Sequence, residues 1–313
     1  MRIAGRFALG ILACSVAAFA QCKESASVPA RVLVTIGHHY GHAPAVLTKQ
    51  NFTIFEQHDQ RPLLDLVPLR DEHAGLEIFL LVDNCSSCEV GSKFEELAKF
   101  IRAQPPTTSF GVAYIQDGKL NIAENPTGDR ERVIQALNPP AGSKAASPFD
   151  ALADLINGWK QGAERRAVMM ISNGINPAGI ENRLDPSAQR AIDAAQHAGV
   201  AVYAIYHPAA DYFTNSAKID SGQIQLAHVG VETGGEAYFL SYGPLHSLAP
   251  FLADIGDHLA NQYRLEFLAN PSEDAGSLVN ILVRSDLPDL EVIVPTRVWV
   301  PCPDTSIRKT TGE

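Results

Sequence analysis

Several features of enzymes and of nucleic-acid-binding proteins are missing from this 313-residue sequence. It has no phosphate-binding glycine loop, no G-x-G-x-x-G fingerprint, no H-E-x-x-H metal motif and no G-x-S-x-G nucleophile elbow. It also has no excess of basic residues, since 25 Lys and Arg stand against 35 Asp and Glu, for a formal net charge of -10. Nucleic acids and anionic lipid surfaces both require a basic footprint on their partner. The sequence therefore offers no enzymatic mechanism, and its charge disfavours these two classes of partner.

Long hydrophobic runs are scarce as well. Beyond the N-terminus, no apolar stretch reaches the roughly 18 residues that cross a bilayer. At the N-terminus, Arg2 and Arg6 precede an apolar run at 7–13, and Ala18-Phe19-Ala20 forms an A-x-A pattern before Gln21. This order is typical of a secretory signal peptide that is cleaved after Ala20. We therefore expect an exported protein without a transmembrane segment, periplasmic or at the cell surface.

An alternative for the N-terminus places a lipid anchor at Cys14. This cysteine follows Ile11-Leu12-Ala13, which resembles a lipoprotein cleavage box, although the apolar segment before it is short. We favour simple cleavage, because it fits the charged, apolar and small-residue regions in order. Cleavage removes two arginines and takes the formal charge from -10 to -12.

Four cysteines remain after cleavage, and export would allow them to form disulfides. They are Cys22, Cys85, Cys88 and Cys302, which can pair in three ways. The sequence does not select among these pairings.

The middle of the chain alternates apolar strands with amphipathic helices. Leu76 to Val82 is apolar without alternation, as expected for a parallel strand that is covered on both faces. Further strands are expected at 110–115, 167–171, 200–205 and 237–240, and helices at 92–103, 130–137, 148–159, 186–197, 223–231 and 245–262. Repetition of strand and helix predicts an α/β fold with a doubly wound, open and mainly parallel sheet.

Strand-like segments stand on both sides of this α/β region. Residues 31–36 and 52–56 alternate, and we expect them to form two strands of a hairpin joined around Gly41 and Pro44. Strands are also expected at 263–268, 277–284 and 290–299. We expect a signal peptide at 1–20, a small β-domain made of 28–70 and 263–300, the α/β domain at 75–262, and a disordered tail at 303–313.

Polar residues follow the first buried strand directly. The sequence there is Leu80-Leu81-Val82-Asp83-Asn84-Cys85-Ser86-Ser87. Open α/β sheets bind ligands beyond the carboxyl ends of their strands, and oxygen ligands of this kind suit hard divalent cations.

This segment resembles the Asp-x-Ser-x-Ser motif of the von Willebrand factor type A (VWA) domain and its metal-ion-dependent adhesion site, here as Asp83, Cys85 and Ser87. The chain looks most like the VWA-related proteins of acidobacteria, over about residues 30 to 300. The matching segments, in order, are 47–52, Asp150-Ala151-Leu152, Ile171-Ser172-Asn173-Gly174, Ala201-Val202-Tyr203-Ala204-Ile205, Thr233-Gly234-Gly235 and Gln262-Tyr263. The resemblance implies a VWA fold and a protein partner.

Three departures from the family pattern weaken the implied metal site. A serine of the motif is replaced by Cys85, whose sulfur is a poor ligand for magnesium or calcium. The family threonine falls on Ala146 and the second aspartate on Asn173, which brings no charge. Ser143 or Ser147 could replace the missing hydroxyl. The remaining ligands would be Asp83, Ser87 and Asn173, and we expect no dedicated cofactor beyond weak binding of Mg²⁺, Ca²⁺ or Mn²⁺.

Two other groups could carry chemistry. Cys85 and Cys88 form a C-x-x-C pair where a strand meets a helix, which is either a thiol-disulfide redox site or a structural disulfide. His38, His39 and His42 fall within one turn and could bind zinc or copper, but no fourth ligand is apparent. We expect a protein-interaction module that is not an enzyme, with a redox protein that uses Cys85 and Cys88 as the alternative.

Overall fold

A computed structural model gives the fold of this chain. It describes residues 27–38, 46–83, 93–116, 119–139, 147–160, 165–176, 184–208, 216–239, 247–271, 276–288 and 290–302. The structural statements below refer to these residues. The proposed signal peptide, Cys14 and the 303–313 tail lie outside them.

The centre of the molecule is a six-stranded sheet that is mostly parallel. Its strands are β5 (Leu76–Asp83), β6 (Thr108–Gln116), β7 (Lys119–Thr127), β8 (Arg165–Ser172), β9 (Val200–Tyr206) and β10 (Ala237–Tyr238). Their order across the sheet is β10-β9-β8-β5-β6-β7. The predicted doubly wound, open and mainly parallel sheet is therefore confirmed.

Six helices cover the two faces of this sheet. They are α1 (Phe94–Ala103), α2 (Arg130–Ala136), α3 (Pro148–Gly158), α4 (Pro186–Ala198), α5 (Ser216–Glu232) and α6 (Ala249–Ala260). Alternate residues of β5 point to opposite faces, so that Leu80 packs with α1, α2 and α6, whereas Leu81 packs with α3, α4 and α5. Each face thus has its own apolar core.

The edge strand β7 was not predicted from the sequence. It pairs antiparallel with β6 and is largely exposed, with polar residues and Pro126. Because only one side of an edge strand is paired and little of it is buried, it lacks the apolar pattern by which buried strands are recognised. α5 was also underestimated, since it begins at Ser216 instead of Gln223.

Segments from both ends of the chain form two antiparallel sheets. One contains β1 (Val28–His38), β4 (Leu63–Pro68), β11 (Gln262–Ala269) and β13 (Leu290–Ile293); the other contains β2 (Phe52–Glu56), β3 (Asp59–Arg61), β12 (Gly276–Ser285) and β14 (Arg297–Pro301). Val34, Ile54 and Phe267 belong to one apolar core that the two sheets share. β3 is short and polar, and β4 is apolar but only partly buried; neither was predicted from the sequence.

Three predictions about these segments are wrong. β1 and β2 do not form a hairpin, because β1 lies between β11 and β13, whereas β2 lies between β3 and β12 in the other sheet. The expected strand at 290–299 is two strands, interrupted around Pro295, which has no backbone N–H to donate. Gln262 is not helical: it begins β11, and α6 ends at Ala260.

Polar contacts join the flanking sheets to the α/β region. The Arg165 guanidinium donates to the Leu259 carbonyl at 2.6 Å and to Gln262 Oε1 at 3.0 Å. Arg297 pairs with Asp193 of α4. At the end of β14, Cys302 is in a disulfide bond. None of the helices in the described part of the chain is long and apolar enough to span a membrane.

Candidate functional site at the carboxyl edge of the central sheet

The strand order creates a crevice between β5 and β8. The chain runs from β5 outward to β6 and β7, then returns to the other side of β5 to form β8, β9 and β10. The direction of winding therefore reverses between β5 and β8, and open α/β sheets bind ligands beyond the carboxyl ends of strands at such a point. Asp83 is the last residue of β5, and Ser172 is the last residue of β8.

Asp83 and Ser172 are held side by side at this point. Val82 and Ile171 are register partners in the parallel ladder, so the next residue of each strand lies at the same level. Side chains alternate between the two faces of a strand, and those of Asp83 and Ser172 both lie on the face that α3, α4 and α5 cover. As a result, the Ser172 hydroxyl donates to Asp83 Oδ2 at 2.8 Å and accepts from the Gly174 backbone N–H at 3.1 Å.

Burial of the Asp83 carboxyl group destabilises its ionised form. Asp83 is only 6% exposed. Burial raises its pKa from 3.8 to about 6, and the hydrogen bond from Ser172 opposes that rise only in part. Among the described residues, Ser172 is the only hydrogen-bond donor to this carboxylate, and no cationic side chain forms an ion pair with it. A carboxylate in this condition at a sheet crevice is a candidate functional group.

The loop after β8 is shaped by close packing against α5. Gly174 has a φ of 66°, and a Cβ there would lie 2.4 Å from the Gly222 carbonyl oxygen. A Cβ on Gly222 would in turn lie 2.1 Å from the Asn173 carbonyl oxygen. Only glycine permits so close an approach of the two backbones. The contact fixes the loop that carries Asn173 beside Asp83.

Asn173 serves its own loop with its side-chain oxygen. It is 5% exposed, and its Oδ1 accepts the Ile175 backbone N–H at 2.9 Å. This is the local side-chain-to-backbone bond by which asparagine stabilises turns. Structural stabilisation of the loop therefore accounts for this residue without a metal ion.

A second buried polar network joins the beginnings of α3 and α4. The Ser147 and Ser187 hydroxyls are 2.9 Å apart, and Ser187 donates both its backbone N–H and its hydroxyl to Asp185 Oδ1. The Asp185 backbone N–H donates to Gln225 Oε1 at 3.2 Å. The Ser147 hydroxyl, a suggested replacement ligand, is thus bonded to α4.

The structure brings together two of the three residues that the sequence singled out as ligands. Asp83 is the last residue of β5, and Asn173 comes directly after the neighbouring strand β8. Ser87 lies outside the described residues. The Cys85 and Cys88 pair, Ser143, Ala146, His39, His42 and the side chain of His38 also lie outside them. Sequence reasoning missed Ser172, although it quoted the segment that contains it, because only the register of β5 and β8 shows that Ser172 faces Asp83.

The described part of the site fits a divalent cation poorly. Asp83 supplies one formal charge, Asn173 supplies an amide oxygen that is already hydrogen-bonded, and Ser172 supplies a hydroxyl that donates to Asp83. Affinity for Mg²⁺ and Ca²⁺ follows the number and charge of oxygen ligands. These three groups alone do not make a tight dication site.

Comparisons with known proteins give distant similarities of fold. No protein-family model and no curated protein sequence matches the chain. One similar solved structure is the vWF domain of the type V pili tip protein Mfa5 from Porphyromonas gingivalis, with a TM-score of 0.43 and 10% identity. The similarity covers 58% of this chain and 94% of that one. The pilus adhesin SpaC from Lactobacillus rhamnosus GG, in its open conformation, has a TM-score of 0.42 and 10% identity, over 72% of this chain and 43% of that one.

A third similar structure extends over the flanking sheets. It is a von Willebrand factor type A protein from Catenulispora acidiphila, with a TM-score of 0.44 and 8% identity, over 92% of this chain and 77% of that one. The α/β architecture with a doubly wound sheet, as predicted, is seen in the strand order of the chain itself. Similarity at this level concerns the fold and carries no argument about function.

Proposed function

We propose that this chain is an exported VWA-like protein-interaction module, for adhesion or scaffolding, whose divalent-metal site is weakened or lost. The observation that carries this proposal is the state of Asp83. It is a buried carboxylate at the crevice between β5 and β8, with one hydroxyl donor and no cationic partner among the described residues. Its position suits ligand binding, and its surroundings do not suit a tightly held ion.

The binding face would be formed by the loops at the carboxyl edge, at 83–89, 142–148 and 173–179. With the metal contribution weakened, apolar contacts and hydrogen bonds to a protein partner would supply the affinity. The packing of Gly174 against α5 and the network from Ser147 to Gln225 support this role, because they give the face a rigid base. A preorganised surface loses less conformational freedom on binding.

The same geometry favours binding over catalysis. The Ser172 hydroxyl, at the end of β8 beside the crevice, is 1% exposed and already donates to Asp83. A nucleophile needs an adjacent base and access to substrate. We infer that the chain is not an enzyme and has no dedicated cofactor.

Calorimetric titration of the mature protein with Mg²⁺, Mn²⁺ and Ca²⁺ tests the state of the metal site. We expect no binding at this site tighter than about 1 mM, because the charge of the ligand set is low. Binding that is tighter than this and disappears in Asp83→Ala, but not in the control Asp154→Ala on the exposed side of α3, would contradict the proposal.

The binding face is tested by capture of partners from an envelope extract on the immobilised protein. Asp83→Asn keeps the size of the side chain and removes its charge, and Asp154→Asn makes the same change away from the crevice. We expect a protein that is retained by the wild type and by Asp154→Asn to be retained less by Asp83→Asn. Equal retention by all three would exclude the Asp83 carboxylate as a contributor to partner binding.

Export is part of the proposal. It is supported by the signal-peptide pattern before Gln21 and by the disulfide at Cys302, since disulfides persist in oxidising compartments. Mass spectrometry of the protein from its native compartment should give an N-terminus at Gln21 without lipid. A lipid-modified Cys14 at the N-terminus would establish the anchored alternative.

Thiol titration separates this proposal from the redox alternative. If Cys85 and Cys88 have ordinary thiol reactivity, or form a disulfide that resists mild reductant, the module needs no redox role. A low-pKa, readily exchanging thiol at either position would favour the thiol-disulfide enzyme instead.

A further inference from the structure

A second cluster of potential ligands lies at the side of the central sheet, next to its last strand, β10. Glu236 comes directly before β10, and Asp254 and His258 lie one turn apart on α6. One ligand atom from each of the three side chains falls within 4.8 Å of the others, and no other such group occurs among the described residues. Neither the sequence motifs nor the proposed binding face includes this cluster.

His258 is the centre of the cluster. Its Nδ1 is 3.6 Å from Glu236 Oε2, and its Nε2 is 3.9 Å from Asp254 Oδ2. The His258 side chain is 12% exposed, and its Nδ1 is inaccessible to solvent and has no hydrogen-bond partner in the described part of the chain. A buried nitrogen in this state is costly unless something binds it.

Neighbouring groups hold the Asp254 carboxylate and the backbone of Glu236 in place. The Tyr238 hydroxyl donates to Asp254 Oδ2 at 2.8 Å, and the Ala204 backbone N–H donates to the Glu236 carbonyl at 2.8 Å. Gly230 of α5 packs so closely that an added Cβ would lie 2.7 Å from the Glu236 carbonyl carbon. Hydrogen bonds of this kind orient the ligands of metal sites.

The cluster carries an excess of negative charge. Burial raises the pKa of the Glu236 carboxyl; His258 opposes this rise, and the nearby carboxylates of Asp254 and Glu291 add to it. Glu291 lies in β13 of the flanking sheet, so the charge is concentrated where that sheet meets the central one. A bound cation would neutralise it.

We propose that Glu236, Asp254 and His258 form a binding site for a divalent transition-metal ion of the zinc class. An imidazole nitrogen combined with carboxylate oxygens is a donor set that zinc accepts, whereas Mg²⁺ and Ca²⁺ prefer oxygen alone. Ligands at about 2.0 Å from a tetrahedral ion lie about 3.3 Å apart, so the observed 3.6 Å between His258 Nδ1 and Glu236 Oε2 needs little adjustment. Asp254 Oδ2 lies on the Nε2 side of the ring, so the half-exposed Asp254 side chain must rotate toward Nδ1, at the expense of its bond from Tyr238, to complete the ligand set.

Such an ion would connect α6 to β10 and stabilise the side of the sheet that adjoins the flanking domain. The competing explanation is that a protonated His258 bridges the two carboxylates without any metal. Zinc binding distinguishes the two explanations. A metal site predicts that the protein binds zinc and that replacement of His258 weakens this binding, whereas a protonated bridge predicts no zinc binding.

The test is calorimetric titration of the chelator-treated mature protein with ZnCl₂ at pH 7.5. We expect one site with a dissociation constant of about 10 µM or tighter, weakened at least about tenfold in His258→Gln and in Asp254→Asn. The matched control is His228→Gln, because His228 and Glu232 form a similar pair one turn apart on α5, at 4.0 Å, without a third ligand in the part of the chain that the structure describes. Zinc should also raise the melting temperature of the wild type and of His228→Gln.

Several results would overturn this inference. They are the absence of zinc binding, zinc binding that survives both His258→Gln and Asp254→Asn, or equal loss in His228→Gln. Asp254→Asn changes a half-exposed side chain to one of the same size, so this variant should fold normally. It therefore tests the site even if His258→Gln folds poorly. Asp83→Ala should bind zinc as the wild type does, which separates this site from the carboxyl-edge crevice.

Discussion

The two acidic sites of this chain differ in what surrounds their carboxylates. At the carboxyl edge, the described surroundings of the buried Asp83 carboxylate supply one hydroxyl donor, Ser172, whereas beside β10 the carboxylates of Glu236 and Asp254 lie on either side of the imidazole of His258. The first site has the position that the sequence motif implies for a metal centre but a weak donor set, and the second has a stronger donor set at a position that the motifs do not indicate. Position in a fold and the ability to bind an ion are therefore separate properties, and each must be argued from its own residues.

The largest expected effect comes from filling the space between α5 and the loop that carries Asn173. Gly222→Ala would place a Cβ 2.1 Å from the Asn173 carbonyl oxygen, so the helix or the loop must move. We expect the free energy of unfolding to fall by about 3 kcal/mol or more, measured by urea denaturation. The control is Gly158→Ala at the end of α3, where a Cβ meets nothing within 4 Å and the stability should change by less than about 1 kcal/mol.

If Gly222→Ala costs no more than Gly158→Ala, the crevice is not rigidly supported by α5. The proposed binding face would then lose the preorganisation on which it relies.

Removing the charge of Asp83 should stabilise the protein at neutral pH. Its folded pKa of about 6 lies above its ordinary 3.8, so the folded state holds the proton more tightly and wild-type stability falls as the pH rises from about 4 to 6. Asp83→Asn removes this cost, and we expect it to raise the free energy of unfolding by about 2–3 kcal/mol at pH 7.5 and by little at pH 4. Denaturant titrations at both pH values check this, with Asp154→Asn as the exposed control.

A destabilised Asp83→Asn at pH 7.5 would show that a cation or further donors already compensate the carboxylate. That result would remove the main support for a weakened metal site.

A smaller effect is expected from the hydroxyl that faces Asp83. Ser172→Ala removes a hydrogen bond to a charged group, and we expect a loss of about 1–2 kcal/mol at pH 7.5. The loss should shrink at pH 4, where the carboxyl is protonated, and in the Asp83→Asn background. Ser147→Ala, which removes a bond between two neutral hydroxyls, should cost less and show no such dependence on pH.

An effect of Ser172→Ala that stays the same at both pH values would mean that the bond to the Asp83 carboxylate contributes little. The serine would then act through packing or through its bond to Gly174.

Elements with a strong local pattern were predictable from the sequence. β5 shows an unbroken apolar run, and α4 begins with the Asp185 cap and ends at Gly199, which has a φ of 65°. The edge strand β7 and the break at Pro295 were missed, because exposed strands and short interruptions leave weak signals. The hairpin prediction failed because pairing between distant strands outweighed their closeness in sequence.

The sites depend even more on contacts between distant segments. Asp83 was found because it follows a buried strand, but its bond to Ser172 spans 89 positions and depends on strand register. Glu236 and His258 belong to no spacing motif, and they meet only because α6 packs beside β10. A sequence pattern indicates which strand ends can carry a site, whereas the fold decides which side chains share it.

The most direct test of a weakened site at Asp83 is a crystal structure of the mature protein equilibrated with about 0.1 mM Mn²⁺, a concentration well below the dissociation constant of about 1 mM or weaker that is expected of so few charged ligands. Mn²⁺ has an anomalous signal and accepts the same oxygen ligands as Mg²⁺. The account predicts no ordered anomalous peak within coordination distance, about 2.0–2.6 Å, of the Asp83 carboxylate. A fully occupied ion there, coordinated by Asp83 and further oxygens, would contradict it.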